Sequence, residues 1–270
     1  MRTALTIAGS DSGGGAGIQA DLKTFAAHGV YGTTAIAAVT AQNTLGVVDF
    51  EALSADLVTA QIEAVVADIG VHAAKTGMLA TAAIVEAVAA AVEDLEIPLL
   101  VVDPVMIAKS GERLVDEEAV GAIRSELLRR AFVVTPNIPE AETLAGLSIR
   151  SETDRREAAR RIHRLGASAV IVKGGHFPSN DIVDLLYDGH TFVEFRSERV
   201  EGRSTHGTGC TFAAALASQL ALGRTLQESI PLAQEYVAGG IRHGLAIGHG
   251  HGPLDHFWKM RRSKPAPVEM

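Results

Sequence analysis

The sequence predicts an α/β fold in which a mostly parallel central sheet carries helices on both faces. Short apolar segments of strand length alternate along the chain with longer segments whose apolar residues recur at helical spacing. Of the residues, 47% are hydrophobic but only 4% are aromatic, which suits a buried sheet packed against alanine-rich helices. Two late segments that flank Asp188 and Gly189 have the pattern of a hairpin, so a small antiparallel addition is expected.

The predicted strands are short, and most end in polar or glycine-rich residues. They lie at residues 4–8, 33–40, 99–102, 132–134, 169–172, 182–187 and 191–195. The predicted helices lie at residues 18–28, 56–67, 82–92, 208–221 and 226–246. No repeat and no internal linker interrupts this alternation. We therefore expect one domain over residues 1–260, followed by a charged, proline-containing tail over 261–270 that is disordered.

Charge and cysteine content narrow the classes of function. The formal net charge is −8 at pH 7, which is a poor match for nucleic acid or for an anionic membrane surface. The single cysteine, Cys210, cannot form an internal disulfide, as is typical of cytoplasmic proteins. The N-terminus lacks the pattern of a signal peptide, and no apolar stretch reaches the roughly 18 residues of a membrane helix. We therefore expect a cytoplasmic protein with neither a nucleic-acid nor a membrane partner.

Polar clusters follow the predicted strands and indicate where a ligand binds. They occupy residues 9–17, 40–44, 75–78, 103–106, 135–140 and 173–176. In an open parallel sheet the loops after the carboxyl ends of the strands converge on one edge, and ligands bind there. These clusters should therefore line one cleft.

The segment Thr205-His206-Gly207-Thr208-Gly209-Cys210-Thr211 precedes an alanine-rich helix. Its two glycines allow a tight turn that exposes consecutive backbone N–H groups at the positive end of a helix dipole. Such a turn suits the charge on a phosphoryl group in transfer. Taken alone, the segment is better explained as a plain glycine turn capped by Thr208. Together with the other strand-end clusters, we favour an anion site.

Cys210 falls in the first turn of that helix, where the dipole should lower its pKa and make it a base or a nucleophile. A small buried hydrophobic residue is the alternative. The spacing alone does not decide between the two.

Two further features could contact a small ligand. Residues 9–17 are rich in glycine but match neither a Walker A loop nor a dinucleotide fingerprint, so they form either a ligand-contacting loop or a flexible turn. The Gln42 amide offers a donor and an acceptor that match an aminopyrimidine edge, although a turn-stabilising role is as plausible.

Acidic and basic side chains at other strand ends could hold a metal and a phosphate. Asp103, Asn137 and Glu140 could bind Mg²⁺ through waters beside ATP phosphates, although a carboxylate in a first helical turn also explains Glu140. Lys173 could reach a phosphate. The histidines and Asp255 between residues 249 and 256 are enough for a metal site. No second cluster supports one, so we favour a structural or ATP-adjacent loop for residues 249–252.

Taken together, these segments resemble the hydroxymethylpyrimidine and phosphomethylpyrimidine kinases of thiamine biosynthesis, a branch of the ribokinase-like superfamily. The matching segments are AGSDSGGGAGIQADLKTF from Ala8, VTAQNT from Val39, KTGML from Lys75, DPVM from Asp103, TPNIPEAETL from Thr135, VKGGH from Val172, THGTGCT from Thr205 and GHGHGP from Gly248. They follow the family's order across nearly the whole chain.

The resemblance implies a ribokinase-like homodimer that uses ATP and Mg²⁺ to phosphorylate the pyrimidine's hydroxymethyl oxygen and then the monophosphate. It implies that Gln42 reads the ring nitrogen and amine, and that Cys210 is the catalytic base. The rest of the pyrimidine pocket would comprise Gly9, Ala16, Asp21, Met78 and Val105. The anion hole would comprise Gly207, Thr208, Gly209 and Cys210. The Mg²⁺ and phosphate region would comprise Asp103, Asn137 and Glu140, with Lys173 and Thr211 on the nucleotide side.

Two other functions remain open from the sequence. A pyridoxal kinase of the same branch acts on a ring with a similar hydroxymethyl group, but Gln42 favours an aminopyrimidine over a hydroxylated pyridine. A non-catalytic protein that binds the pyrimidine or a nucleotide is the second alternative. The intact turn at Gly207 to Gly209 and the presence of Cys210 argue against it.

Overall fold

The computed structural model describes residues 1–107, 111–112, 114–175 and 181–260. Its described strands form one nine-stranded sheet in the order β3-β2-β1-β4-β5-β6-β7-β8-β9. The strands are β1 Thr3–Asp11, β2 Tyr31–Gln42, β3 Val47–Ala52, β4 Ala73–Thr76, β5 Leu100–Val102, β6 Val133–Val134, β7 Val170–Val172, β8 Asp181–Tyr187 and β9 Phe192–Glu198.

The centre of the sheet is parallel and both edges are antiparallel. Strands β2, β1, β4, β5, β6 and β7 pair in parallel, and the predicted late hairpin is confirmed as β8 and β9. Strand β3 pairs antiparallel with β2 at the opposite edge, where the sequence predicted no strand. Because Asp49 and Glu51 interrupt its apolar residues and most of β3 is exposed, a search for short apolar segments does not find it.

Helices cover both faces of the sheet, as predicted. They are α1 Gly17–Ala27, α2 Ala55–Asp68, α3 Ala82–Asp94, α4 Glu117–Ala122, α5 Ile138–Ala145, α6 Glu152–His163, α7 Thr208–Ala221 and α8 Leu226–Arg242. Successive strand residues point to opposite faces. In β5, Leu100 and Val102 join the core under α2 to α6, whereas Val101 joins the core under α1, α7 and α8. The predicted α/β class with a mostly parallel sheet is therefore confirmed.

Helix α7 is the element that brings the sheet and the candidate site together. It packs against β1, β4 and β5, and every residue from Thr211 to Ala221 is buried. Its small side chains let it lie close to the sheet, which explains the run of alanines. Its N-terminus therefore sits at the carboxyl end of the central strands.

The C-terminal region differs slightly from the sequence prediction. Helix α8 ends at Arg242 rather than at residue 246, because the N–H of Gly244 turns back to the carbonyl of Ile241. The predicted disordered tail, residues 261–270, lies outside the described residues. Over the described ranges, no helix has both the length and the apolar content to cross a membrane.

Candidate active site

Loops from distant parts of the chain meet at the carboxyl edge of the sheet, as the strand-end clusters predicted. Near the end of β1, the N–H of Gly9 donates to the carbonyl of Met78, which follows β4, at 3.0 Å. After β7, the ammonium of Lys173 lies 3.0 Å from Asp103 Oδ1 after β5. The N-terminus of α7 lies between these two pairs, because it contacts the β1 loop on one side and Lys173 on the other. The result is one cleft with an apolar end and a charged end.

The turn before α7, residues 207–210, is named here the anion turn. Gly207 caps the helix in a left-handed conformation with φ 81°, and no side chain caps its first N–H groups. A Cβ atom at residue 207 would lie 1.9 Å from the carbonyl oxygen of Gly15, so only glycine fits. Thr208 is the first helical residue and not the cap, which removes the plain capped turn as the explanation of this segment. The turn leaves backbone donors at the positive end of a helix dipole.

Gly209 faces the charged end of the cleft. A Cβ atom there would lie 3.5 Å from Lys173 Nζ and 3.7 Å from Asp103 Oδ2, which are ordinary contact distances. The anion turn and Lys173 therefore present positive potential to the same small volume. That arrangement can stabilise charge on a phosphoryl group.

The expectation of a lowered pKa for Cys210 is wrong. Burial raises the pKa of this thiol to about 11, and the ammonium of Lys75 opposes the shift while the carboxylates of Asp103 and Asp21 add to it. The helix dipole is too weak to compensate for desolvation beside two carboxylates. Cys210 is therefore a protonated thiol at neutral pH.

A fully buried ion pair lies beneath the anion turn. Lys75 Nζ is 2.8 Å from Asp21 Oδ2, and both side chains are inaccessible to solvent. Thr6 Oγ1 donates to the same carboxylate oxygen at 2.6 Å, whereas Asp21 Oδ1 has no hydrogen-bond partner among the described residues. Burial raises the pKa of Asp21 against the opposing effect of Lys75. Burial alone would lower the pKa of Lys75, but the surrounding anions, Asp21 first, raise it above its ordinary value.

The contacts of Asp21 are to Thr6 and Lys75 rather than to the surface of the cleft, so its predicted role in the pyrimidine pocket would be indirect. Lys75 itself was not singled out from the sequence. The signal for it is a lysine within the otherwise small and apolar strand β4, where a cation is costly unless it is paired.

The charged end of the cleft contains Asp103, Lys173, Asn137 and Glu140. Asn137 and Glu140 form a capping box at the start of α5, so the structural explanation of Glu140 holds. Burial raises the pKa of Glu140 to about 7, with Asp103 adding to the shift and Lys173 opposing it. Asp103 Oδ2 is buried and has no partner among the described residues. An oxygen without a partner beside a second carboxylate fits a hard cation such as Mg²⁺.

These donors fit Mg²⁺ only if the substrate phosphates complete the coordination. Among the described residues no group of three histidine, cysteine, aspartate or glutamate side chains is arranged to hold a metal. Mg²⁺ is commonly bound through one or two carboxylates plus phosphates and waters. Asp103 and Glu140 match that pattern.

The apolar end of the cleft contains three of the residues predicted for the pyrimidine pocket, and a fourth, Ala16, lies in the adjoining glycine loop. Met78 and Val105 belong to a small apolar cluster, and Gly9 lies against the sulfur of Met78. Ala16 is the N-cap residue of α1, and its N–H donates to the carboxylate of Asp11 at 2.8 Å. A flat, uncharged ring suits this surface. Gln42 is connected to it through its strand partner Val47, which packs against the same apolar cluster.

Asp11 and His206 connect the glycine loop to the anion turn, and sequence reasoning missed both. The buried Asp11 carboxylate accepts the N–H groups of Gly13, Gly15 and Ala16 at 2.8 to 2.9 Å and lies 3.0 Å from His206 Nε2. Burial alone would raise the pKa of Asp11, but the hydrogen bond from His206 and the backbone donors lower it below its ordinary value. The available signal was an aspartate at the very start of a glycine-rich loop, which suits backbone N–H donors.

Thr211 and the loop after β7 differ from expectation. The Thr211 side chain is fully buried, so a direct contact with a nucleotide would require α7 to move.

The loop after Lys173 is held by Asp184, whose buried carboxylate accepts hydrogen bonds from the N–H of Gly174 and from the amide of Gln234, both at 2.8 Å. Asp184 was not singled out either, because nothing in its strand distinguishes it locally.

The histidine-glycine segment, residues 249–252, packs on the side of the cleft near Gln42 rather than near Lys173. The N–H of His251 donates to the carbonyl of Thr44 at 2.9 Å, and the N–H of His206 donates to the carbonyl of Gly252 at 3.1 Å. The segment therefore links the turn after β2 to His206, the residue before the anion turn. These contacts support the structural explanation and not the ATP-adjacent one.

Three comparisons with known proteins agree with this geometry. Residues 11–255 match the family model described as phosphomethylpyrimidine kinase. The chain is 48% identical to the hydroxymethylpyrimidine/phosphomethylpyrimidine kinase of Bacillus subtilis, over 96% of each chain. It is 50% identical, over 94% of its length, to a thiamine biosynthesis bifunctional protein of Geobacter sulfurreducens, of which it spans only 52%. A solved structure of Bacillus subtilis pyridoxal kinase with ADP is 39% identical and superposes with a TM-score of 0.89, covering 97% of this chain and 100% of that one.

Proposed function

The chain belongs to the phosphomethylpyrimidine kinase family, and from that premise we propose that it uses ATP to phosphorylate 4-amino-5-hydroxymethyl-2-methylpyrimidine and then its monophosphate. The observation that carries the proposal is the meeting of the anion turn with Lys173 and Asp103 at one end of a cleft whose other end is apolar. A ring with a hydroxymethyl arm can lie at the apolar end with its arm directed towards the charged end.

The anion turn and Lys173 would provide most of the rate enhancement. Phosphoryl transfer passes through a loose transition state whose charge is spread over three equatorial oxygens, so alignment and charge stabilisation dominate. Backbone donors that are already fixed in a turn need no reorganisation during the reaction. Gly207 is what holds these donors in place, because its conformation and its contact with Gly15 exclude every other residue.

Cys210 would orient the substrate hydroxyl rather than act as a strong base. Its pKa of about 11 leaves the thiol protonated at neutral pH. In a loose transition state the attacking hydroxyl keeps most of its proton until late, so a strong base contributes little. This role differs from that of the catalytic base that the resemblance implies.

We also propose sites for the nucleotide and the cation. Lys173 and Asn137 would contact ATP phosphates, and Asp103 and Glu140 could hold Mg²⁺ through waters. When bound, Mg²⁺ would neutralise charge on the phosphate oxygens. The buried Asp103 Oδ2, which has no partner among the described residues, is the atom that supports this assignment most directly.

The proposal also covers the domain organisation, the cellular location and the oligomeric state of the protein. We propose that residues 1–260 act as one domain, that the protein is cytoplasmic and that it forms a homodimer. Exposed apolar side chains on and near the edge strand β3, namely Leu45, Val48 and Phe50, support an interface with a second copy. Light scattering of the purified protein should give the mass of two chains, and the mass of one chain would contradict the dimer.

Pyridoxal kinase activity is a second candidate, because a pyridoxal kinase structure superposes on nearly the whole chain. The amide of Gln42 favours the aminopyrimidine, since it can pair with a ring nitrogen and an amine together.

Product analysis separates these functions. The purified protein with MgATP should convert the pyrimidine to a monophosphate and then a diphosphate, both detected by mass spectrometry, with pyridoxal offered in a parallel reaction. Formation of pyridoxal phosphate alone would favour the second candidate. No substrate-dependent consumption of ATP with either ring would favour a non-catalytic binding protein.

A further inference from the structure

Four side chains meet between the apolar end of the cleft and the anion turn. Asp11 lies 3.0 Å from His206 Nε2, and that same nitrogen lies 3.4 Å from the amide nitrogen of Gln42. On its other side, the amide oxygen Oε1 of Gln42 lies 3.2 Å from the hydroxyl oxygen of Thr40. Gln42 is the residue proposed to read the substrate ring, so its neighbours determine which hydrogen bonds it offers.

Asp11 fixes His206 as a hydrogen-bond donor. An ionised carboxylate has no proton to give, and all of the contacts that the structure gives the Asp11 carboxylate are to N–H groups or to His206. His206 Nε2 must therefore carry a proton. A protonated ring nitrogen has no lone pair left to accept a hydrogen bond from the amide nitrogen of Gln42.

Thr40 makes the complementary contact. Its hydroxyl lies 2.8 Å from the carbonyl of Ser10, which is the shorter of its two contacts and takes its only proton. At 3.2 Å from the Gln42 amide, the Thr40 oxygen is then an acceptor. When the amide of Gln42 turns over, its nitrogen can donate to Thr40, and its oxygen faces the Nε2–H of His206, a proton that this oxygen would share with Asp11.

We propose that His206 is a specificity-determining residue, which Asp11 holds as a donor and which thereby fixes the order of donor and acceptor on the Gln42 amide. An aminopyrimidine presents a ring-nitrogen acceptor beside an amine donor, and an amide pairs with both in only one order. In the reversed order donor would face donor and acceptor would face acceptor. The inference deepens the proposed function, on which it rests, by naming the group that sets how Gln42 reads the ring.

His206 lies next to the anion turn, where phosphoryl transfer would take place. His206 precedes Gly207 in the chain, and its ring lies against the backbone of Gly15, where a Cβ atom would be only 2.5 Å from His206 Cδ2. The carbonyl of Gly15 in turn contacts Gly207. Recognition of the ring and the geometry of the anion turn therefore depend on adjoining residues.

The first test compares two substitutions of the same residue. His206→Phe keeps an aromatic ring but removes the donor, whereas His206→Gln keeps an N–H donor. His206→Phe should lower kcat/KM for the pyrimidine by about three- to tenfold, mainly through KM, since a net hydrogen bond is worth about that much. The value for pyridoxal should change less than twofold. His206→Gln should recover most of the loss, and His190→Phe, on an exposed hairpin, should match the wild type.

A double-mutant cycle tests the route through Gln42. If His206 acts by orienting that amide, His206→Phe should add almost nothing to the KM effect of Gln42→Leu. Equal additional losses in both backgrounds would overturn the proposal, as would equal losses with the pyrimidine and with pyridoxal. A wild-type protein that does not phosphorylate the pyrimidine would instead overturn the proposed function, and this inference with it.

An NMR measurement on the wild-type protein provides a readout that does not depend on activity. Long-range ¹H–¹⁵N spectra of histidine-labelled protein report whether each ring nitrogen carries a proton, and the His206 signals are those absent from the His206→Gln spectrum. A protonated Nε2 without substrate is expected. An unprotonated Nε2 would overturn the proposal whatever the kinetics show.

Discussion

Lys75 and Asp21 form an ion pair 2.8 Å long that has no exposure to solvent and lies beneath the anion turn. Ionised groups without water are costly to bury unless each has its partner. The pair is nevertheless incompletely satisfied, because Asp21 Oδ1 has no hydrogen-bond partner among the described residues. Both charges also act on the nearby Cys210, where Lys75 lowers the pKa of the thiol and Asp21 raises it.

Removing one partner of this pair should therefore destabilise the protein strongly. Lys75→Met leaves an uncompensated carboxylate, and such changes cost about 3–5 kcal/mol of unfolding free energy. The double variant Lys75→Met with Asp21→Asn should be more stable than Lys75→Met alone, because it removes the charge that was left. Urea unfolding of the single and double variants measures this. If the double variant loses as much unfolding free energy as the two single variants together, this prediction is wrong.

The thiol of Cys210 should react slowly with alkylating reagents. Its pKa is raised from 9.0 to about 11, so the thiolate fraction at neutral pH is lower by about a hundredfold. Iodoacetamide modification, followed by mass spectrometry, should be slower than that of a free cysteine by about that factor and should accelerate as pH rises towards 11. A rate that levels off near pH 7 would indicate a lowered pKa instead.

Alanine substitutions of Gly207 and of Gly223 distinguish the effect of backbone strain from the effect of disturbing the anion turn. Both are in the left-handed region, but a Cβ at residue 223 meets nothing within 4 Å, whereas one at residue 207 clashes with Gly15. Gly223→Ala should cost about 1–2 kcal/mol of stability and leave kcat unchanged. Gly207→Ala should displace the backbone donors and lower kcat by about 10²–10³-fold. Similar kcat values for the two variants would remove the anion turn from the mechanism.

Glu140 should make stability depend on pH. Its folded-state pKa of about 7 exceeds the ordinary value of 4.5, so the folded protein binds the extra proton and loses stability as pH rises from about 4.5 to 7. Glu140→Gln keeps the capping box and removes the charge. Relative to wild type, the variant should gain on the order of 2–3 kcal/mol more at pH 8 than at pH 4.5. An equal difference at both pH values would contradict the raised pKa.

The sequence predicts the fold well because most of the sheet is central and apolar. Strands β5 to β7 are continuous runs of buried aliphatic residues, and such runs are recognisable without any partner. The edge strand β3 is not recognisable in this way, because its side chains alternate and are mostly exposed. Its pairing with β2 is a tertiary property.

The site is predicted as far as each residue carries a local pattern. The glycine spacing before α7 is such a pattern, and the turn it predicts is found. The roles of Asp11, His206 and Lys75 depend on partners that are far away in the sequence, such as the 195 positions between Asp11 and His206. The predicted direction of the Cys210 pKa shift is wrong for the same reason: the helix terminus can be recognised in the sequence, whereas burial beside Asp103 and Asp21 cannot.

The proposed recognition of an aminopyrimidine ring by Gln42 is tested most directly by kcat/KM for the pyrimidine and for pyridoxal, in the wild type and in Gln42→Leu. We expect the wild type to prefer the pyrimidine and Gln42→Leu to lose about 1–3 kcal/mol of that preference for each lost partner, which is about 5- to 150-fold. The value for pyridoxal should stay nearly unchanged. A Gln42→Leu variant that the pyrimidine saturates at wild-type concentrations, with the same preference between the two rings, would contradict it.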